Sequence, residues 1–115
     1  MFARTPYQHR PGGAFMPSDM RDALVRYAST GGPLGHFLTA VVENNLVEAI
    51  SRADDANGAA LGAIVSYCYN ELPGGCWGSP EKVKAWREKM ETEPDLRARL
   101  VQEVEEQDHK RALRP

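Results

Sequence analysis

The segment YNELPGGCWGSPEKVKAW, residues 69 to 86, holds both tryptophans and one of the two cysteines of the chain. Pro73-Gly74-Gly75 is a combination that ends helices. Ser79 is a good N-cap residue, and Pro80 suits the first helical position, where its missing N–H has no helical partner to lose. The segment is therefore predicted to be a hinge between two helices.

The side chains of this segment divide into two groups. Val83 and Trp86 lie three residues apart, so they are predicted to share the buried face of the second helix. Cys76 and Trp77 lie in the hinge itself, where the sequence does not say whether they point inward. For Trp77 we favour a cap over the helix ends, because large aromatic side chains usually contribute to the core. An exposed anchor for a partner protein is the alternative, since tryptophan is enriched at binding hot spots.

The chain before the hinge also shows helical periodicity. The first helix is predicted to have Ser18 as its N-cap and to end at Gly31-Gly32. The second runs from about Leu34 to Ala53, with a kink or split at Asn44-Asn45. Either Asp54 or Asp55 is predicted to cap the third. The apolar residues predicted to face inward on the second and third helices are Phe37, Leu38, Val41, Val42, Leu46, Ile50, Leu61, Ile64, Val65, Cys68 and Leu72.

The segment after the hinge helix is predicted to be a last, strongly charged helix. Thr92 followed by Asp95 resembles a capping box. Leu96, Leu100 and Val104 form a narrow apolar stripe, which suits either the edge of a bundle or a partner helix. A homodimer through this helix is therefore one expectation.

These elements predict an all-α fold, a compact bundle of about five helices in one domain of 115 residues. Residues 1–15 lack apolar periodicity and are expected to form a flexible, disordered arm. Residues 16–90 are expected to form the helical core domain, and residues 91–115 the C-terminal charged helix.

Composition bears on several classes of function. The chain is 42% apolar and 26% charged with a formal net charge of −2, whereas nucleic-acid-binding modules usually carry a basic excess. Nucleic acid is therefore an unlikely partner. No apolar run approaches the roughly 18 residues typical of a membrane span, and the N-terminus has no secretory apolar region. Two cysteines in such a chain indicate reduced thiols in the cytoplasm.

No pattern of residues predicts catalysis or a bound metal. The histidines and cysteines, which are His9, His36, His109, Cys68 and Cys76, show no short zinc-type spacing. Adjacent carboxylates on a helix point in different directions, so Asp54-Asp55 and Glu105-Glu106 do not form acid–base pairs. The glycine pairs match no phosphate-binding loop. We expect a protein with no enzymatic activity, no catalytic residue, no metal and no cofactor.

An acidic segment lies between residues 43 and 71. It contains five acidic residues and one basic residue, Arg52, for a sum of −4. An acidic face is often only a solvated surface, but it can also bind a basic partner. The residues predicted to bind a partner are Glu43, Glu48, Asp54, Asp55, Glu71 and Trp77.

Several motifs between Met16 and Trp86 carry a family resemblance. They are MPSDMRDALVRY, GHFLTAVVENNLVEAISRAD, YNELP and CWGSPEKVKAW. Together they resemble a family of short, uncharacterised proteins of temperate bacteriophages and prophages, in which Trp-Gly-Ser followed by a helix ending in Ala-Trp is the most specific part. Asn45 stands where that family usually has Asp. Family members often start at a Met-Pro-Ser like Met16-Pro17-Ser18, so residues 1–15 are expected to be an extension or a misassigned start.

The resemblance implies a phage setting in a bacterial cytoplasm and no known reaction. It favours an accessory protein that binds a host or phage protein. A steric inhibitor of a host defence system, such as an anti-CRISPR protein that blocks a CRISPR effector or nuclease, is one candidate by analogy of size and setting. The alternative is a small DNA-binding phage regulator, since helix pairs with short turns can be helix-turn-helix modules.

Overall fold

Six helices make up most of residues 16–112, the part of the chain that the computed structural model describes, with side chains placed through His109. They are α1 (Ser18–Thr30), α2 (His36–Val42), α3 (Leu46–Arg52), α4 (Asp55–Glu71), α5 (Pro80–Thr92) and α6 (Pro94–Ala112). The all-α fold is confirmed, with one helix more than the predicted five and no strand within residues 16–112. The arm predicted for residues 1–15 lies outside the described residues.

The additional helix arises from a break in the predicted second helix. Asn44 has a φ of 60°, in the left-handed region that asparagine tolerates better than most residues. Asn45 then caps α3, because its side chain accepts a hydrogen bond from the backbone N–H of Glu48 at 3.1 Å. The two asparagines therefore split the helix rather than kink it.

Two other caps match the sequence pattern. Asp54, rather than Asp55, caps α4 by accepting a hydrogen bond from the N–H of Asn57 at 2.7 Å. Ser79 caps α5 by accepting one from the N–H of Lys82 at 3.1 Å, and Pro80 follows at the first position. The predicted hinge between α4 and α5 is confirmed.

Two predicted caps are wrong. Ser18 lies inside the first turn of α1, because Pro17 takes the N-cap position and the Pro17 carbonyl accepts from the N–H of Arg21. Thr92 is the last residue of α5, where its hydroxyl donates to the Glu88 carbonyl at 2.9 Å. The fold starts α6 at Pro94 instead, since proline suits the first helical position.

The core brings α1, α4 and α5 together around fully buried side chains such as Tyr27, Tyr67 and Met90. Gly31 ends α1 with a φ of 76°, and a Cβ atom there would lie 3.0 Å from Cβ of Met90. Helix α6 packs against α1 and α5, and Leu100 and Val104 join the same core. The apolar stripe of α6 thus lies at the bundle edge, and a homodimer through this helix stays a prediction.

The predicted inward faces of the second and third helices are partly wrong. Leu46 is 65% exposed, Ile50 is 54% exposed and Val65 is 41% exposed. The split at Asn44 causes the error in α3, because a new helix starts there and no longer continues the face that α2 buries. Phe37, Leu38, Val41, Val42, Ile64, Cys68 and Leu72 are buried as predicted.

Candidate functional site

The loop between α4 and α5, residues 72–79, is held to the rest of the fold on both sides of Trp77. The Tyr27 hydroxyl donates a buried hydrogen bond to the Cys76 carbonyl at 2.7 Å. The N–H of Gly78 donates to the Val42 carbonyl, also at 2.7 Å. Gly78 has a φ of 125°, which an L side chain rarely adopts. Because both neighbours are bonded, the backbone at Trp77 is positioned before any partner arrives.

The Trp77 side chain has features of both predicted roles, the cap over the core and the exposed anchor. It is half-buried and packs against the core on one side. Its ring also meets the exposed ring of Tyr69 edge to face, with centroids 6.5 Å apart and an interplanar angle of 79°. Edge-to-face pairs of this kind are favourable arrangements of aromatic rings. Trp77 therefore covers part of the core and still presents surface to the outside.

Trp77 lines a surface depression that continues along α4 towards α3. We call this depression the apolar groove and define it by its large lining side chains, Leu46, Leu61, Val65, Tyr69 and Trp77. Leu61 and Val65 line both halves of the groove and so join them. Except for the Tyr69 phenol, none of the lining side chains is ionisable.

Two of the asparagine side chains that line the groove are hydrogen-bonded within the protein. Asn45 accepts the N-capping bond of α3. The Asn70 amide donates to the Ser66 carbonyl at 2.8 Å. These bonds leave the groove an apolar surface with fixed polar edges, which suits the burial of apolar side chains from a partner.

The structure does not gather the five predicted acidic residues into one cluster. Asp55 and Glu71 lie at opposite ends of α4, which at 17 residues puts them about 24 Å apart. Glu48 pairs with Arg52 at 2.7 Å, and Asp54 is occupied as a cap. Glu43 lies close enough to Tyr27 to raise the pKa of its phenol, although burial is the larger cause.

The predicted acids do not line the groove, but four of them are close to its lining residues along the chain. Glu48 precedes the lining residue Ala49, and Glu71 follows the lining residue Asn70. Asp54 and Asp55 stand at the N-terminal end of the helix that carries Leu61. Of the predicted partner-binding residues, Trp77 lines the groove and none of the five acids does.

The basic residues of α5 lie in different places. Lys82 lies along Gly78 of the hinge loop, next to Trp77, whereas Arg87 and Lys89 lie against aromatic rings. The Arg87 guanidinium lies over the Tyr27 ring at 5.5 Å, and the Lys89 ammonium lies over the Trp86 ring at 5.9 Å. Both distances suit cation–π contacts. Arg87 therefore joins α5 to α1, whereas the contact of Lys89 with Trp86 lies within α5 itself.

The two cysteines are free thiols and fully buried. Burial raises the pKa of each thiol from 9.0 to about 12, and the thiol of Cys76 adds to the effect at Cys68. Both are therefore neutral at pH 7, and neutral buried thiols behave as small apolar groups. Within residues 16–109, no group of three or more potential metal ligands comes together.

Sequence reasoning missed four of the five lining residues of the groove. It placed Leu46, Leu61 and Val65 in the core and gave Tyr69 no role. The signal that could have identified Leu46 is the asparagine pair just before it, because a break in a helix also breaks the continuity of its apolar face. For Val65 and Tyr69 the sequence carries no such signal, since both continue the helical pattern of α4 and only the tertiary structure leaves them uncovered.

Comparisons of the chain with protein-family models, with curated proteins and with solved structures found no match. None of the helices within residues 16–112 has the length and apolar character needed to cross a membrane.

Proposed function

We propose that this chain is a non-enzymatic phage or prophage accessory protein that binds another protein in the bacterial cytoplasm through the apolar groove. One observation carries the proposal. All the large apolar side chains that are exposed among the described residues lie on α3 and α4, and they are Leu46, Val47, Ile50, Val65 and Tyr69. Leu46, Val65 and Tyr69 line the apolar groove, and a cluster of exposed apolar side chains of this kind usually marks an interaction site.

The pre-positioned loop supports the same proposal. Tryptophan and tyrosine, the residue types of Trp77 and Tyr69, are enriched at binding hot spots, because they bury a large area with few rotatable bonds. The hydrogen bonds at Cys76 and Gly78 hold the Trp77 backbone, so binding loses less entropy there than in a mobile loop.

The phage setting rests on the resemblance described above for residues 16–86. In that setting the bound protein is a host or phage protein. One form of this binding activity is steric inhibition of a host defence system, with a CRISPR effector or nuclease as the target. It requires a binding surface and no catalytic group, and neutral buried thiols agree with that requirement.

The test compares proteins captured by the tagged chain from phage-infected cells with those captured by two variants. Val65→Asp introduces a charge into the groove, and Ala85→Asp introduces the same charge at an exposed site on α5. We expect a specific partner with the wild type and with Ala85→Asp, and its loss with Val65→Asp. A partner that both variants retain equally would show that the groove is not the binding surface.

The alternative, a DNA-binding regulator, makes a different prediction. It would use Lys82, Lys84, Arg87 and Lys89 on α5, yet Arg87 and Lys89 already contact aromatic rings. A gel-shift series over increasing salt decides between the two, because the affinity of a DNA binder falls steeply with salt. Salt-dependent shifts that Ala85→Asp weakens and Val65→Asp does not would favour the regulator.

A further inference from the structure

We infer that the ligand of the apolar groove is a basic amphipathic helix of the partner protein. This inference rests on the proposed function and names the chemistry of the partner. It follows from the spacing of the lining side chains, from the backbone around them and from the charges that border them.

The spacing of the lining residues fits a helix. Leu61, Val65 and Tyr69 follow one another at four-residue intervals on α4, so they form one row about 12 Å long. Leu46 lies beside this row on α3, and Trp77 closes it on the side of the hinge loop. Rows at four-residue spacing are the ridges against which a second helix packs. A partner of about three turns would cover the row.

The backbone around the groove excludes recognition by strand addition. The groove is lined by helical residues of α2, α3 and α4, whose backbone groups bond within their own helices, and by short connecting segments. No sheet edge exists within residues 16–112 to receive an added strand. A segment that binds here must therefore satisfy its own backbone, as a helix does.

The charges around the groove select a basic helix. Between residues 37 and 82 the chain has six acidic residues and two basic ones, Arg52 and Lys82. Glu48 already engages that arginine at 2.7 Å. Asp54, Asp55 and Glu71 stand at the two ends of α4, where they would meet the flanks of a helix lying along it. Opposite charges at such a border raise the association rate and select among partners.

A second copy of this chain is a poor occupant by the same criteria. If two grooves faced each other, two acidic borders would meet, and like charges across an interface are unfavourable. The apolar residues Leu100 and Val104 of α6 are already buried in the core. Within the described residues, the chain therefore presents no exposed helix that combines an apolar face with basic flanks.

The experiment uses three fluorescently labelled synthetic peptides of about 18 residues, or about five turns. The first has leucines on one helical face and lysine or arginine elsewhere. The second keeps that face and replaces each basic residue by glutamate. The third has the composition of the first in an order with no apolar face. Binding to the full chain is measured by fluorescence anisotropy at about 0.1 M and about 0.5 M salt, where screening differs strongly.

We expect the first peptide to bind at least about tenfold more tightly than the other two. Tyr69→Ala should weaken its binding by about tenfold or more, as expected for an aromatic hot spot. Glu71→Gln should weaken it by a few-fold at low salt only. Glu91→Gln, which removes an exposed acid on α5, and Ala85→Asp are the matched controls and should leave binding unchanged. Tyr69 is 76% exposed, so its replacement leaves the fold intact, which circular dichroism checks.

The inference is overturned if the first peptide does not bind, if the acidic peptide binds equally well, or if Tyr69→Ala leaves binding unchanged. If sedimentation shows a dimer that Tyr69→Ala dissociates, the occupant is a second copy instead. The proposed function is tested separately, because it fails if no specific partner is captured from cells or if capture of the partner is insensitive to Val65→Asp. If Val65→Asp abolishes capture of a partner that has no basic helix, the proposed function still holds and the inference is refuted.

Discussion

The contact of α1 with α5 and the apolar groove each hold one of the two tryptophans, in opposite environments. Trp86 is 9% exposed, and its indole N–H donates to the Ala28 carbonyl at 3.0 Å. That carbonyl lies near the end of α1, where carbonyls lack helical partners. Trp77 is half-buried and lines the groove beside Tyr69.

The difference teaches that the chain uses the same residue type for two purposes. On the α1–α5 side, Tyr27 and Trp86 are enclosed and their hydroxyl and indole N–H groups are hydrogen-bonded, so they stabilise the fold. On the groove side, large side chains remain in contact with water, where they contribute little to folding and are free to contribute to binding. Substitutions on the two sides should therefore separate stability from binding.

The largest expected effect is at Trp86. Trp86→Ala removes a buried aromatic ring and leaves the Ala28 carbonyl without its donor, so it should lower the free energy of unfolding by about 3–5 kcal/mol. Urea denaturation measures the change. A loss below about 1 kcal/mol would mean that the two tryptophans are not in different environments.

Tyr27→Phe should have the next largest effect. It removes the hydroxyl that donates to the buried Cys76 carbonyl, and an unpaired buried acceptor lowers stability by about 1–3 kcal/mol. Tyr69→Phe is the matched control and should change stability by less than about 0.5 kcal/mol, since Tyr69 is exposed. Equal losses of stability at the two tyrosines would mean that the α1–α5 contact and the groove do not differ in their contribution to stability.

Trp77→Ala should lower stability by roughly 2 kcal/mol, about half the effect of Trp86→Ala, because only part of the ring is buried. The variant should stay folded at room temperature and lose its partner. Acrylamide quenching of variants that keep one tryptophan gives an independent check, with Trp77 more strongly quenched than Trp86. Equal quenching of both would place Trp77 fully in the core.

Alkaline pH should weaken the buried side through its thiols. The pKa of Cys68 and of Cys76 is raised to about 12 in the folded protein from an ordinary value of 9.0. Below pH 9 the thiols stay protonated in both states, so their contribution is fully retained. Above pH 9 the unfolded chain loses protons first, and stability should fall by on the order of 1 kcal/mol for each thiol by pH 10.

A variant with Cys68→Ala and Cys76→Ala provides the control for this pH dependence. Its stability is expected to be lower at pH 7, because two buried side chains become smaller, but to decline less steeply between pH 9 and 12. Thermal unfolding over this pH range measures both slopes. Parallel slopes for the two proteins would show that the thiols are not shielded from water.

The smallest expected effect is at Val47, which is 77% exposed on α3. Val47→Asp should change the free energy of unfolding by no more than about 0.5 kcal/mol, whereas Val83→Asp on the buried face of α5 should prevent stable folding. Chemical denaturation of both variants gives the comparison. A large loss at Val47 would mean that the outer face of α3 is packed.

Local patterns predicted much of the secondary structure. The Asn44-Asn45 break, the Asp54 and Ser79 caps and the hinge after Pro73 follow from side chains that bond to backbone groups a few residues away, so the sequence alone reveals them. The same reasoning failed at Ser18 and Thr92. There a nearby proline competes for the helix start, and a plausible capping residue does not decide between two adjacent starts.

The sequence by itself determined the helical class, the position of the breaks and the burial of Val83 and Trp86, because these depend on periodicity and on short-range bonds. Only the tertiary structure decided that Leu46, Val65 and Tyr69 face outward and that Trp77 lies between core and groove. The physical reason is that apolar periodicity marks which side chains share a face, whereas burial depends on whether another helix covers that face. In this fold Val65 and Tyr69 of α4 stay exposed, and with Leu46, Leu61 and Trp77 they line the apolar groove.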